Sequence, residues 1–426
     1  MPTDFDILIV GAGPAGCAAA YDLAQAGKRV LLLDKRTFPR PKACACGLTR
    51  KTLKALRYSV DPVVERVCHE IVLQQAGLAA TAPGSVPPSA TEVRVKTRKP
   101  ICAMAVRERF DDFCLRQTLA SGRSGGSVEL RKIETILALR QLPQCVELDI
   151  ATSVGPETLC APALIGADGS NGQTRRLAAL SLQAEDTPAA SSRLAAWTNI
   201  AAAPPPEVAW YVTGFALEAT VPYSALPAQL PAGGAPHDLV FDFAPLPGGY
   251  GWLFPKGDHI NIGVGAFAPT TVASSAQMKS VTRGLLLEYG RQKLGVATLA
   301  HITGQHLGMG GHSYVPRERV LLAGDAAGLV DPLTGEGIHS AIVSGQAAAA
   351  AILSNSADVA EAYARELAPL QRTLAFSHRA ARAFYAEPDR GFKAMRLPIL
   401  RSLILKTYAD GLPHTRLITE LAKRLT

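Results

Sequence analysis

Long apolar runs are scarce in this chain of 426 residues. The Ala-rich run at 341–353 falls short of the roughly 20 residues that a bilayer-spanning helix needs, so no transmembrane helix is expected. The opening MPTDFDILIVGAG is acidic where a secretory leader would be basic, and its apolar run leads straight into glycines. A cytoplasmic protein, peripheral on the membrane at most, is the expectation. No two cysteines have CxxC spacing: the eight lie at 17, 44, 46, 68, 102, 114, 145 and 160. That argues against a zinc site and, in a chain of this size, against a disulfide framework; no metal is expected. Balancing acids are few towards the end, where positive charge gathers: from Arg372 onward 11 Lys/Arg face 4 Asp/Glu, a balance of +7 out of a whole-chain +8. Nucleic acid, an acidic protein or an anionic membrane would suit that charge. The basic residues belong to no recognised nucleic-acid module, so no nucleic-acid role is expected.

What is present begins at once. With 48% hydrophobic and 19% charged residues, the chain has enough apolar material for two domains or one large composite. FDILIVGAGPAGCAAAYDLAQAGKRVLLLDKR reads as strand, glycine turn, helix, strand. Gly11, Gly13 and Gly16 form GxGxxG, with Ala15 at the helix start. The first glycine permits a tight turn, the second lets a pyrophosphate approach the backbone, and the third lets helix pack on strand. The free N–H groups of the helix N-terminus then face the phosphates. Asp34, with Lys35 beside it, ends the second strand where a carboxylate takes ribose hydroxyls, which suits an unphosphorylated ribose, FAD or NAD.

Three later stretches separate these two. VRERFDDFCLRQTLA opens with Arg107; LIGADGSNGQTRR carries Asp168; RVLLAGDAAGLVDPLTGEGIHSAIV carries Gly324, Asp325, Gly335, Gly337 and Ile338. There is no second GxGxxG for a separate nicotinamide site. The set resembles the flavoprotein superfamily with the para-hydroxybenzoate hydroxylase-like fold. The resemblance implies FAD, with Asp325 on the ribityl chain, Arg107 near the ribityl–pyrophosphate, and the helix starting at Gly337 and Ile338 aimed at the isoalloxazine. A positive helix end there stabilises an anionic reduced flavin.

FPRPKACACGLTRKTLKAL (38–56) narrows the branch: Lys42, Cys44, Gly47, Leu48 and Thr49 match the Lys-x-Cys-Gly-x-Gly-Leu-Thr segment of the geranylgeranyl reductase family, with Ala45 where that family has Gly. YGWLFPKGDHINIGVG (250–265) matches the same family's Tyr-x-Trp-x-Phe-Pro-Lys…Asn-x-Gly-x-Gly signature. The resemblance implies that Cys44 lies near the ring, where it is the candidate proton donor. It further implies that Tyr250, Trp252 and Phe254 form an apolar wall while Gly263 and Gly265 leave room for an isoprenoid chain.

The expected fold is α/β: a Rossmann-like FAD-binding domain from 1–69, 106–178 and 301–355, an interleaved antiparallel-sheet substrate domain from 70–105 and 179–300, and a C-terminal helical segment, 356–426. RLAAWTNI (193–200) and DLVFDF (238–243) read as strands of the second domain. Helices at 359–385 and 392–408 are expected to break around Pro388 and Pro398. The last stretch, 412–426, has Leu417, Ile418, Leu421 and Leu425 at helical spacing against basic residues, as a cap over the cavity or a membrane-docking surface. The function implied is reduction of C=C bonds in an isoprenoid or other long apolar substrate, with NAD(P)H or a ferredoxin-like carrier as electron donor. Two alternatives stay open: a flavin monooxygenase on the same fold, and a flavoprotein maturation factor acting on a partner protein.

Overall fold

The computed structural model describes residues 5–75, 91–185, 210–228, 230, 237–267 and 281–411. Ile7–Val10 is the centre of a five-stranded parallel sheet, flanked by Ala163–Gly166 and Val320–Leu322 on one side and by Arg29–Asp34 and Ser127–Lys132 on the other. Its side chains are 0–3% exposed. Burying each such aliphatic side chain stabilises the fold by about 1.5–3 kcal/mol, which is why ILIV and VLLL are unbroken apolar runs rather than alternating ones.

The first helix, Pro14–Gln25, packs on a second Ala-rich helix, Ile338–Leu353. A Cβ on Gly345 would stand 2.1 Å from the carbonyl oxygen of Ala15, so this glycine lets the two helix backbones touch. Thr135–Gln141, Val146–Thr152 and Gly155–Ala161 form a three-stranded meander feeding back into the parallel sheet.

A seven-stranded sheet lies alongside, in the order Thr303–Met309, Val212–Pro222, His259–Ala266, Gly249–Pro255, Leu239–Asp242, Glu70–Gln75, Thr91–Lys96. Its pairings are antiparallel except where Leu239–Asp242 meets Glu70–Gln75. Strand alternation gives it two unlike faces. Tyr250, Trp252 and Phe254 pack with Phe241, Met309 and Val330 on one. Leu253, Ile262 and Val264 pack with Tyr289 of the helix Arg283–Leu294 on the other. Thr303–Met309, assigned from sequence to the dinucleotide unit, is an edge strand of this sheet. Cys102–Ala105, assigned to the substrate unit, instead pairs with Gly47–Thr49 and Val64–Cys68 in a small sheet of their own.

Three helices follow: Val359–Ala386, Pro388–Met395 and Pro398–Asp410. Each of the last two begins at a proline, where a missing N–H costs nothing. Among the described residues no helix is long and apolar enough to cross a membrane. The expected strand at 193–200 and the expected amphipathic stretch at 412–426 lie outside the described residues.

Candidate active site

The glycine turn is built as the physics of its motif requires. Gly11 has φ +103°, and a Cβ there would meet the Ala167 carbonyl at 2.3 Å; one on Gly16 would stand 1.9 Å from the Gly11 oxygen. Gly13 is the N-cap of the first helix, with no side-chain cap and no acid in the first turn. Asp34 holds the turn, its Oδ2 accepting the Ala12 N–H at 2.8 Å and its Oδ1 the Arg36 N–H at 2.8 Å. Lys35 points away, donating to Gln173 Oε1 at 2.5 Å. Asp168 follows Ala163–Gly166 and caps the next helix by accepting the Thr174 N–H at 2.9 Å; its Oδ1 is buried with no hydrogen-bond partner among the described residues.

The second glycine cluster lies against this turn. Gly324 has φ +59° and donates to Ser344 Oγ at 2.9 Å. A Cβ on Gly337 would come within 3.3 Å of Asp325 Oδ1, so the Asp325 carboxylate sits at the start of the helix Ile338–Leu353. That helix too has no side-chain cap and no acid in its first turn. Gly335, φ +68°, is covered by the Phe267 ring. Glu336 is clamped by Thr49 Oγ1 at 2.9 Å, Thr52 Oγ1 at 3.2 Å and Lys51 Nζ at 2.5 Å. The segment at 49–52 and the loop before the helix are therefore one mechanical unit.

Cys44, on the preceding loop, meets several charges. Arg107 is 7% exposed and its Nε donates to Asp111 Oδ1 at 2.7 Å; Arg40 reaches the other Asp111 oxygen at 3.2 Å. Lys42 lies among Arg107, Asp325, Asp111 and Arg40, and its amine is lowered by burial and by the Arg107 charge. Burial raises the Asp325 carboxyl, an effect opposed by Lys42 and Arg107. The Cys44 thiol is pulled well below its ordinary value by a hydrogen bond from Cys46 and by Arg107, against the effect of burial.

Two residues that the sequence did not single out as site members complete the loop's surroundings. Lys256 is 2% exposed; its Nζ donates to the carbonyls of Ala45 at 2.5 Å and Ala105 at 2.8 Å, and burial lowers its amine. Glu218, in Val212–Pro222, accepts the Cys44 N–H at 2.8 Å. Burial and the neighbouring Cys44 sulfur push its carboxyl up to about 7. The only sequence signal for Glu218 is an acid inside the otherwise uncharged FALEATV. The left-handed residue of the loop is Cys46 (φ 47°), so Ala45 needs none of the freedom that a glycine in its place would bring.

The hairpin ties the loops together. Tyr250 OH donates to the Thr334 carbonyl, and Phe254 lies against Gly47. Trp252 Nε1 donates to Asn261 Oδ1 at 2.7 Å. The glycines of the returning strand are expected to leave room for a chain, but their space holds rings of the protein itself. A Cβ on Gly263 would lie 2.0 Å from the Trp252 indole, and one on Gly265 2.5 Å from the Phe267 ring. Both rings are driven there by burial, at 4% and 3% exposure.

Uncapped helix starts, a ribose-type acid and buried cations fit a dinucleotide whose phosphates are anionic and whose ring carries charge when reduced. The observed architecture is that of the para-hydroxybenzoate hydroxylase-like flavoproteins, and FAD is the cofactor. The chain belongs to the FAD binding domain family, whose pattern matches residues 4–227, and it is an FAD-dependent oxidoreductase. Among curated proteins it is similar to a menaquinone reductase of Mycolicibacterium smegmatis, 28% identical, the match covering 82% of this chain and 76% of that protein. It is also similar to digeranylgeranylglycerophospholipid reductase 1 of Methanopyrus kandleri, 28% identical over 81% of this chain and 79% of that protein. Among solved structures, a geranylgeranyl bacteriochlorophyll reductase-like protein from Thermoplasma acidophilum has the same fold, with a TM-score of 0.68 at 19% identity over 98% of both chains.

Proposed function

We propose that this oxidoreductase reduces carbon–carbon double bonds of an isoprenoid or similarly long apolar substrate. Gly11, Gly13, Ala15, Gly16, Asp34 and Lys35 would take the adenosine and pyrophosphate end of FAD. Arg107, Asp168, Gly324 and Asp325 would take the middle, and Cys44, Gly47, Gly335, Gly337 and Ile338 the ring end. When reduced, FAD supplies a hydride; saturating an alkene also needs a proton. The observation that carries the proposal is a carboxyl poised near neutrality, Glu218, bonded to the cysteine loop beside an aromatic face. A group with its ionisation near the working pH is the best general acid. The proton is assigned to Glu218 rather than Cys44, because the Cys44 thiol is drawn towards its thiolate by Cys46 and Arg107 while the Glu218 carboxyl is drawn towards its protonated form. Tyr250, Trp252 and Phe254, packed in the core behind the cysteine loop, would keep water from it.

The helix Pro398–Asp410 supports a route for such a substrate. Its inner side carries Leu405 and Ala409, while its outer side is itself apolar: Ile399 is 70% exposed and Ile404 39%. Exposed Arg396 and Lys406 flank them. A basic, outward-facing apolar strip suits peripheral contact with an anionic membrane. NAD(P)H or a ferredoxin-like acidic carrier would supply electrons, the latter on the basic stretch Lys35–Lys54.

The test is anaerobic. The FAD-loaded protein is photoreduced and mixed with geranylgeranyl lipids, and flavin absorbance is followed alongside product mass. Reoxidation without oxygen, with the lipid gaining two hydrogens per flavin, is expected. A flavin that stays reduced until air is admitted would sink the reading in favour of a monooxygenase.

A further inference from the structure

Two of the free thiols stand one residue apart, at Cys44 and Cys46. The left-handed backbone of Cys46 (φ 47°) turns the loop back so that its N–H donates to Cys44 Sγ at 3.3 Å, and the two thiols share a hydrogen bond. A non-glycine residue in that conformation costs about 1–2 kcal/mol, so it persists only where its surroundings enforce it. They do so at each residue of the unit. Cys44 N–H is held by Glu218 at 2.8 Å, Ala45 C=O by Lys256 at 2.5 Å, and Cys46 C=O by the Ala105 N–H at 3.2 Å.

The two sulfurs are also unlike. Cys44 is partly exposed and faces Arg107, which favours its thiolate. Cys46 is 1% exposed, and its neighbour's sulfur and burial keep it protonated. Burial likewise raises the thiols of Cys17, Cys68, Cys102, Cys114 and Cys160. A thiolate nucleophile beside a proton-bearing thiol is what stepwise dithiol oxidation requires.

We propose that Cys44 and Cys46 form an oxidant-reactive pair, Cys44 attacking hydrogen peroxide and Cys46 resolving the product to an intramolecular disulfide. In the first step Cys44 Sγ takes the terminal peroxide oxygen. The S–O bond forms, the O–O bond breaks, and hydroxide leaves, taking up a proton to become water. In the second, Cys46 Sγ attacks Cys44 Sγ. The S–S bond forms, the S–O bond breaks, and the oxygen leaves as water with the Cys46 proton. With hydrogen peroxide, one peroxide is reduced to two waters and two thiols become one disulfide. Hydrogen peroxide is what a reduced flavin produces on meeting oxygen, so with Cys44 at the ring end of FAD, as proposed above, the pair would stand where such an oxidant arises. The pair does not depend on which substrate the enzyme reduces.

The experiment uses the full FAD-loaded chain, treated with one equivalent of hydrogen peroxide and alkylated with N-ethylmaleimide in denaturant. Trypsin releases residues 43–50, ACACGLTR, which contains both cysteines and no other. The expected result is that this peptide loses two hydrogens and takes no label while the other six cysteines remain labelled, and that dithiothreitol reverses the change. C46S should leave a sulfenic acid on Cys44 that dimedone traps, and C44S should slow oxidation of the peptide by about tenfold or more, since the thiolate is the nucleophile. Peptide 43–50 doubly alkylated after peroxide, or oxidised no faster than the buried cysteines, would overturn the pair; the wild-type peptide decides this even where a variant folds poorly.

Discussion

Glu218→Gln isolates this half-buried acid. An ordinary glutamate ionises near 4.5, and Glu218 is pushed up to about 7 by burial and by the Cys44 sulfur. Below about pH 4.5 the carboxyl is protonated in both folded and unfolded chains, and its full contribution to stability is present. As pH rises towards 7, the unfolded chain releases a proton that the folded chain keeps, and stability falls. Above about 7 the whole difference has been lost, on the order of 3 kcal/mol at about 1.4 kcal/mol per tenfold change in proton affinity. Glutamine can still accept the Cys44 N–H but does not titrate. Urea unfolding from about pH 4.5 to about pH 8 should therefore show the variant gaining about 3 kcal/mol relative to wild type across that window. Its catalytic rate should fall by about 10²–10⁴, and the wild-type decline in rate above about pH 7 should disappear. Parallel stability curves for the two proteins would refute the raised ionisation of Glu218. An unchanged pH–rate profile would remove Glu218 from proton delivery.

Gly263→Ala drives a methyl into the Trp252 indole and strains its bond to Asn261. A stability loss of about 1–3 kcal/mol, with a shift in tryptophan emission, is expected in denaturant titrations. Gly345→Ala should be at least as costly, because the obstacle is the Ala15 backbone carbonyl rather than a movable ring; calorimetry would show the lowered Tm. Lys256→Met leaves the Ala45 and Ala105 carbonyls without their donor and should cost about 1–3 kcal/mol, with faster alkylation of Cys44. Ile399→Asp should weaken binding to phosphatidylserine vesicles by about tenfold or more, from the loss of about 1.5–3 kcal/mol of apolar burial, and added salt should weaken wild-type binding. Equal sedimentation of both proteins with vesicles would dispose of the membrane-facing strip.

Much of this protein is determined within short windows of its sequence. Gly11 and Gly16 can only be read as a close-packed turn, because a Cβ is tolerated neither at a φ of +103° nor 1.9 Å from a carbonyl. The unbroken ILIV and VLLL runs require a sheet covered on both faces. The alternation of Tyr250, Trp252 and Phe254 requires one shared face. Pro388 and Pro398 set where helices begin. These are local constraints of sterics and period, and a sequence carries them whole.

Only the tertiary structure decided what those elements face. The spaces above Gly263 and Gly265 belong to Trp252 and Phe267, because two large rings gain more from burial than the strand loses by lacking side chains. Glu218 is ordinary in sequence and becomes an acid titrating near 7 only because a strand 174 residues from Cys44 brings it under that residue's N–H. Lys256, 211 residues from Ala45, reads as a turn lysine after Phe-Pro and becomes a buried clamp. Desolvation and charge proximity act through space, between residues that no local window contains, and so the chemistry of this site emerged only with the fold.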